Sequence, residues 1–373
     1  MQIKINKRSA YAPIRYEATR PYGKSIGKAF VTQAARGEKA RRAFIQESLL
    51  PLLKSAVARM GSENGPGPVQ AEVLNVQIFG KYNHGGRLIF DISKPLTTAL
   101  LMTDADDIPC GELAFPAESF YLHFGHNHAL TDSAFAIEGA FVGHEAGRMW
   151  IDLVPAGFGQ AHFFALPMGE ALIGVSIDTS DGAKPITQAL SDSIARIMEQ
   201  NRAMLTQTEE LERQLSAQYG QVVKVPSPAA RLDEKEPVLR RAMALIVNAL
   251  FYITSDTNDV HEDWCRDTPE AAAAALRNAR NAGEVRTIEN TLLKAGYSKV
   301  KFVGKGFAAS TESHAIEDAV RTGKNLASHF RRGHYRRQPY GPERSLRKRI
   351  FVAPVMVNAS SSAEVPGRIY DVE

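Results

Sequence analysis

The residues best suited to chemistry form a basic block near the carboxyl end of the 373-residue chain. Residues 329–358 read HFRRGHYRRQPYGPERSLRKRIFVAPVMVN, in which arginines are interleaved with aromatic residues and histidine. Guanidinium groups donate bidentate hydrogen bonds to phosphate, and exposed rings stack on unpaired bases. The block therefore predicts an interface for single-stranded nucleic acid rather than a duplex, or a contact with the ribosome. The candidate binding residues are Arg331, Arg332, His334, Tyr335, Arg336, Arg337, Tyr340, Arg344, Arg347, Lys348 and Arg349.

Two other interpretations of this block stay open. A basic rim could dock on an acidic part of the same chain, or protect an edge strand from aggregation. Alternatively, the block could be catalytic. His334 would then act as a general base while Arg336 or Arg337 stabilises a pentavalent phosphate, which is the chemistry of a metal-independent ribonuclease.

A β-hairpin is the element that must position these side chains. Residues 330–338 predict one strand, residues 339–343 a turn, and residues 350–357 a returning apolar strand. Alternate residues of a strand point to opposite faces, so His334 and Arg336 share one face while Tyr335 and Arg337 share the other. Guanidinium groups cannot be buried without paired anions. At least one face must therefore meet solvent or a polyanion.

Charge is unevenly distributed along the chain. Residues 1–60 contain 13 Lys or Arg against three Glu, and residues 321–349 contain ten against one. The whole chain carries only +4, and residues 61–320 have a net charge of −13. An acidic body with two basic ends favours contact with a polyanion, and it is equally consistent with basic ends that fold back onto the body.

Histidines and aspartates are the residues that could bind a metal ion. Five histidines lie close together in sequence, but the loops that would carry His126 and His144 fall at opposite ends of one predicted strand. Asp104, Asp106 and Asp107 lack the spacing of a calcium loop, and no cofactor-binding fingerprint or catalytic elbow occurs. We therefore expect no metal and no cofactor. The five histidines are His123, His126, His128, His144 and His162.

Hydrophobic periodicity predicts the body of the fold. Between residues 117 and 179 four runs alternate with a period of two, which is typical of an antiparallel meander. The first 25 residues resemble an extended arm, and residues 28–60 favour helix with a kink at Pro51. A long helix over residues 185–216 carries a seam from Leu190 to Leu215, which would pack either on its own sheet or against a partner. Residues 238–253 predict a central buried helix.

Together these patterns predict an α+β protein: an antiparallel β-meander packed with helices, a basic helical N-terminal extension and a C-terminal basic β-hairpin. The predicted segments are 1–68, a basic arm and helix; 69–222, the sheet domain with its long helix; and 223–373, a helical segment plus the hairpin, packing on the sheet domain. Glycine- and proline-rich residues 61–68 and residues 223–237 are candidate linkers. Two distant cysteines and the absence of a long apolar run favour a cytoplasmic protein without a membrane segment.

The basic block also resembles a known family. Arg331–Arg332–Gly333–His334–Tyr335, followed by a glycine-containing turn, a basic stretch and an apolar strand, is similar to the C-terminal signature of a family of phage, prophage and plasmid proteins that includes a type V anti-CRISPR protein. Looser matches extend the resemblance over about residues 70–360. They are the run 80–92, Asp107–Pro109, then Leu113, Phe115 and Pro116 leading into the strand at Tyr121, Gly139–Phe141 and Thr254–Asp256. The apolar strand of the basic block itself ends in Val357 and Asn358.

This resemblance implies regulation at the level of synthesis, in a bacterial host. A member of the family recognises the emerging N-terminal segment of the CRISPR nuclease during translation and brings about loss of its transcript. We therefore expect a non-catalytic anti-defence regulator whose partners are RNA or a ribosome–nascent chain complex and a peptide of the target protein. The metal-independent ribonuclease with His334, and a structural phage or plasmid protein that oligomerises through the seam, are the alternatives.

Overall fold

The structure is a computed structural model of the chain. It describes residues 9–19, 29–30, 32–33, 35–59, 67–105, 108–131, 136–158, 172–223, 232–255, 259–307 and 329–357. The strands are β1 (Leu88–Ile92), β2 (Thr103–Asp104), β3 (Ser119–His123), β4 (Ile137–Glu145), β5 (Arg148–Pro155), β6 (Ile173–Asp178), β7 (Val260–Trp264), β8 (Lys299–Val303), β9 (His329–Arg331), β10 (Gly333–Tyr340), β11 (Leu346–Val352) and β12 (Val355–Val357). The helices are α1 (Ala12–Thr19), α2 (Glu38–Phe44), α3 (Leu50–Arg59), α4 (Gly67–His84), α5 (Lys94–Leu101), α6 (Ile186–Tyr219), α7 (Leu232–Ile253), α8 (Glu270–Arg277) and α9 (Ala282–Lys294).

The predicted meander is confirmed as β3, β4, β5 and β6, which pair in succession and antiparallel. Alternate residues of these strands enter two different cores. Leu122 and Val142 pack on one face of the sheet, whereas Tyr121 and Phe141 pack on the other. Both faces are therefore buried at β3 and β4, where the period of two reflects two apolar layers, whereas β6 alternates between buried and exposed residues. The fold is α+β, as predicted.

The centre of the sheet is parallel, which the sequence did not predict. Within the described residues the strand order of the main sheet is β6-β5-β4-β3-β1-β8-β7. Strand β1 pairs parallel with β3 on one side and with β8 on the other, and β7 closes the edge antiparallel to β8. Parallel neighbours need long crossover connections, so this pairing leaves no local hairpin signal in the sequence.

The first described segment is a buried helix rather than an extended arm, so that part of the prediction is wrong. Tyr11, Ala12 and Tyr16 are fully buried in the core that also contains Phe79 and Phe158. The ring of Tyr16 stacks on Phe79 with 3.8 Å between centroids. In the helical conformation Tyr11 and Tyr16 both face one hydrophobic layer. A helix this short has too few turns for a hydrophobic period to be recognised in the sequence, so the pattern did not predict it.

The helices after α1 agree better with the sequence prediction than α1 does. Helical structure spans Glu38–Phe44, the π-helical Ile45–Leu49 and Leu50–Arg59. Pro51 has no N–H to donate, which accounts for the irregular hydrogen-bonding ladder just before it. The linker predictions are partly wrong. Helix α4 begins at Gly67, and α7 begins at Leu232 and contains Pro237.

The long helix α6 has two different surroundings. Its first half is buried through Ile186, Leu190, Ile194 and Met198, which pack in the same core as α7, so the predicted seam lies on the protein's own sheet there. Beyond Asn201 the helix is mostly exposed. None of the described helices is long and apolar enough to span a membrane.

Candidate nucleic-acid interface

The basic hairpin exists as an antiparallel pair of β10 and β11. Tyr335 is opposite Phe351, Arg337 is opposite Arg349, and Tyr340 is opposite Leu346. The returning strand starts at Leu346, four residues earlier than predicted, because Gly341 at φ 79° closes the turn tightly and a single 3-10 turn, Pro342–Arg344, follows it. The hairpin is thus longer, and most of its basic residues lie on regular strands.

One face of the hairpin, here called the inner face, packs on helix α7. The Tyr335 hydroxyl donates a 2.6 Å hydrogen bond to the Asn248 carbonyl oxygen, and the Tyr335 ring lies edge-on to Phe251 at 5.4 Å. Burial raises the pKa of Tyr335 well above its usual value. The Tyr335 ring is therefore held against α7, as is usual for a strand ring that faces a helix. Its contact with nucleic acid stays a prediction, and the ring is not part of the exposed surface of the hairpin.

Arg349 is also on the inner face. Its guanidinium lies 4.4 Å from the centre of the Phe251 ring and pairs with the Glu112 carboxylate. Arg337 reaches the same carboxylate from the opposite strand. Burial, and then the neighbouring Arg337, lower the pKa of Arg349. Glu112 therefore fastens both arginines to the body, and of the two only Arg337 keeps most of its side chain exposed.

A third arginine is paired at the base of the hairpin. The Arg332 guanidinium is 3.1 Å from the Asp104 carboxylate, on strand β2. Beside this ion pair, strand β10 pairs parallel with β2, with Gly333 opposite Thr103. A side chain at position 333 would collide with Thr103 and Pro354, so the glycine of the block is needed for this docking. Asp104, considered from the sequence only as a possible metal ligand, has a structural role in this docking.

The remaining basic and aromatic residues form what is here called the open surface. It consists of His334, Arg336 and Tyr340 on the opposite face of β10, Arg344 and Arg347 at the turn end, and Arg331 at the base. All six side chains are exposed.

Most cations of the open surface have no carboxylate partner. Arg331, Arg336 and Arg344 make no ion pair with the described residues, and Arg347 donates to the backbone carbonyl oxygens of Arg344 and Leu346. The half-buried Lys348 lies 5.7 Å from the centre of the Tyr340 ring. The predicted binding residues therefore divide into two groups, paired and open.

The catalytic alternative loses one of its groups. His334 and Arg336 are on the same face of β10, whereas Arg337 is on the inner face and bound to Glu112. Of the two arginines that could stabilise a pentavalent phosphate, only Arg336 shares the face of His334.

The other histidines are dispersed over the molecule. His123 is buried against Tyr11, His144 stacks on Phe115, and His126 lies edge-on to His128. No group of three potential metal ligands occurs within the described residues. Asp106, Asp107 and His162 lie outside them.

Sequence reasoning missed the residues that hold the hairpin. Glu112 lies in a 3-10 turn, Asp104 on a two-residue strand, and the Asn248 carbonyl on α7. The side chain of Asn248 donates to the backbone carbonyls of Leu100 and Thr103 at 2.9 and 2.8 Å, which joins α7, α5 and β2. Asn248, a polar residue in the otherwise apolar stretch 242–251, was the one available signal, since buried amides need partners.

Comparison with known proteins defines the class of this molecule. A solved structure described as the crystal structure of AcrVA2 aligns with 93% of this chain and 97% of its own, at 12% sequence identity and a TM-score of 0.41. No curated protein matches the sequence. A family model, however, matches residues 90–359, more than half of the chain, including the whole basic hairpin, and it describes anti-CRISPR proteins, which act against a bacterial defence.

The chain belongs to that family, the AcrVA2-like anti-CRISPR type V subtype A2 family. The resemblance seen in the sequence is therefore confirmed, and an anti-defence role follows from it.

Proposed function

We propose that the protein lowers expression of a target protein by binding RNA through the open surface of the hairpin. In keeping with the family, the target is a CRISPR nuclease. The observation that carries this proposal is the set of open cations. Arg331, Arg336 and Arg344 are exposed and make no ion pair with the described residues, although Asp104 and Glu112 pair with their neighbours.

Single-stranded RNA suits this surface better than a duplex. The open cations lie on a β-ribbon and its turn, together with the ring of Tyr340, 44% exposed, and the exposed His334. Such rings stack on unpaired bases, and cations bind the phosphates between them. A nascent peptide of the target is the second proposed partner. It would bind the body formed by the sheet and its helices, because the open surface offers charge but little apolar area.

The test is the salt dependence of RNA binding by the full chain. We expect the logarithm of the association constant for a single-stranded RNA to fall linearly with the logarithm of salt concentration, with a slope of about −0.7 per neutralised phosphate. Replacing Arg331, Arg336, Arg344 and Arg347 by Ala should flatten that slope by about 0.7 for each phosphate that the variant no longer neutralises.

A matched control keeps the same change in net charge. Arg148, Arg196, Arg202 and Arg286 are exposed on strand β5 and helices α6 and α9, away from the hairpin. Their joint replacement by Ala should leave most of the slope intact. Equal slopes for the two quadruple variants would mean that total charge, and not the hairpin, determines binding, and the proposal would fail.

A ribonuclease remains a second candidate, because His334 and Arg336 are on one exposed face. It requires cleavage of purified RNA without ribosomes. His334→Ala should then abolish cleavage while the salt slope of binding persists. RNA that stays intact with the unmodified protein removes this candidate.

A further inference from the structure

A cleft of about 250 Å³ opens where strands β1, β8 and β7 meet the segment after β7. Its lining includes Asp91, Trp264, Arg266, Phe302 and Lys305. Asp91 pairs in register with Phe302, so both side chains leave the same face of the sheet. The cleft lies over the two parallel strands, toward their carboxyl ends, which is where open sheets with parallel strands commonly bind ligands.

Buried contacts hold the wall of this cleft in place. Asp91 is 1% exposed, and its two oxygens accept from Arg266, with 2.7 Å to Nε and 2.7 Å to a terminal nitrogen. The Tyr11 hydroxyl donates to the same carboxylate at 2.6 Å. Arg266 therefore has a fixed position although more than half of its side chain is exposed. A guanidinium oriented in this way has further N–H groups to offer a ligand.

Two cations share one aromatic ring in the cleft. The Lys305 ammonium lies 4.7 Å from the centre of the Phe302 ring, and the Arg266 guanidinium lies 5.8 Å from it. Trp264 supplies a second aromatic surface. Phe302 is only 7% exposed and its ring is covered by these cations, so the half-buried Trp264 is the ring left for a ligand. Since Asp91 offsets the charge of Arg266, Lys305 is the main positive charge beside it. Aromatic surface next to fixed cations matches a base next to its phosphate.

We propose that this cleft binds one nucleotide, with the base against Trp264 and the phosphate against Lys305 and Arg266. The volume is below the range of about 300–1,000 Å³ that is typical of larger ligands, which favours a single nucleotide over a dinucleotide. The exposed Asp263 carboxylate, also in the lining, can accept a hydrogen bond from an exocyclic amino group of the base. The nucleotide is either free or the terminal unit of an RNA strand, and the site does not depend on the hairpin.

The test is calorimetric titration of the full chain with AMP. We expect saturable binding that Lys305→Gln weakens about tenfold. The matched control is Lys301→Gln, because Lys301 is on strand β8 but lies 6.0 Å from the Phe90 ring, on the opposite face. The Lys301→Gln variant should bind AMP as tightly as the unmodified protein does. Trp264→Leu should weaken binding about fivefold or more through lost stacking, with the melting temperature measured to confirm folding.

Several results would overturn the proposal: no saturable AMP binding, equal losses for Lys305→Gln and Lys301→Gln, or inorganic phosphate binding as tightly as AMP. An acidic hexapeptide that binds in a Lys305-dependent manner while AMP does not would assign the cleft to peptides instead. A 5′-phosphorylated tetranucleotide distinguishes the sources: tighter, competitive binding identifies an RNA end, and binding no tighter than AMP identifies a free nucleotide. The hairpin quadruple variant should bind AMP normally, which separates this result from the salt-slope test.

Discussion

The N-terminal segment, residues 9–19, and the C-terminal hairpin belong to the two basic ends of the chain, yet their arginines have opposite surroundings. Arg15 is 1% exposed, donates to the backbone carbonyls of Phe158, Ser9 and Ala10 at 2.7–3.0 Å, and pairs with Glu138. Arg336 is exposed and makes no ion pair with the described residues. One guanidinium is part of the core, and the other faces solvent.

The difference shows that the number of partners, and not the density of positive charge, decides where an arginine goes. A buried guanidinium needs its five N–H groups satisfied, and strand β4 with the loop after β5 provides a carboxylate and a carbonyl oxygen for Arg15. The hairpin meets only two carboxylates in the described body, Asp104 and Glu112, and these are taken by Arg332, Arg337 and Arg349. The remaining cations stay open.

The largest effect should come from the buried arginine. Arg15→Met leaves the Glu138 carboxylate buried without a counterion, which should lower the free energy of unfolding by about 3–5 kcal/mol in chemical denaturation. The double variant Arg15→Met with Glu138→Leu should recover much of this loss, because both charges are then gone. A loss below about 1 kcal/mol for the single variant would mean that the pair is not buried in solution.

The second-largest effect should be a loss of folding stability in acid, caused by His123, which packs against Tyr11 of the N-terminal segment. Burial, with help from Arg15 and Arg266, lowers the pKa of His123 from 6.5 to about 3. The unfolded chain therefore takes up a proton below about pH 6.5 while the folded chain does not, so stability present at neutral pH is lost as the pH falls toward 3. We expect His123 to account for about 2 kcal/mol of the loss between pH 7.5 and pH 5.

The variant His123→Phe isolates this contribution, because it cannot titrate. The difference in unfolding free energy between pH 7.5 and pH 5 should be about 2 kcal/mol smaller for the variant than for the unmodified protein. Parallel pH dependences for the two proteins would show that His123 is accessible to protons in the folded state.

A smaller effect should follow from loosening the hairpin. Glu112→Gln removes the counterion of Arg337 and of the half-buried Arg349. We expect a loss of about 1 kcal/mol, since partly exposed pairs contribute little. Hydrogen exchange at the amides of β10 and β11 should accelerate while that of β3 and β4 stays unchanged. Uniform acceleration across both regions would indicate that the hairpin and the sheet unfold as one unit.

Arg336, an exposed cation of the open surface, should contribute least to the stability of the fold. Arg336→Ala should change the unfolding free energy by less than about 0.5 kcal/mol, as is usual for exposed side chains without buried contacts. The same variant should measurably reduce the salt slope of RNA binding. A loss of stability comparable to that of Arg15→Met would erase the contrast between the two regions.

The sequence predicted what depends on local pattern. The meander followed from a period of two, and the central helix from the apolar circumference of residues 238–253. The parallel neighbours β1 and β8 are more than 200 residues apart, and nothing near either strand indicates the other. The same holds for the site. The hairpin and most of its open cations were predictable, but the burial of Tyr335 depends on α7, and the cleft combines residues from β1, β8 and the segment after β7.

The N-terminal segment also has a consequence for biosynthesis. Ser9 and the amide of Ala10 bind Asp267, more than 250 residues later, and Tyr11 binds Asp91, 80 residues later. Residues 9–11 are synthesised well before their binding site, which is complete only once Asp267 has also been made. Until then Tyr11, Arg15 and Tyr16 are available to chaperones and to other chains, and their docking is expected to be a late step of maturation.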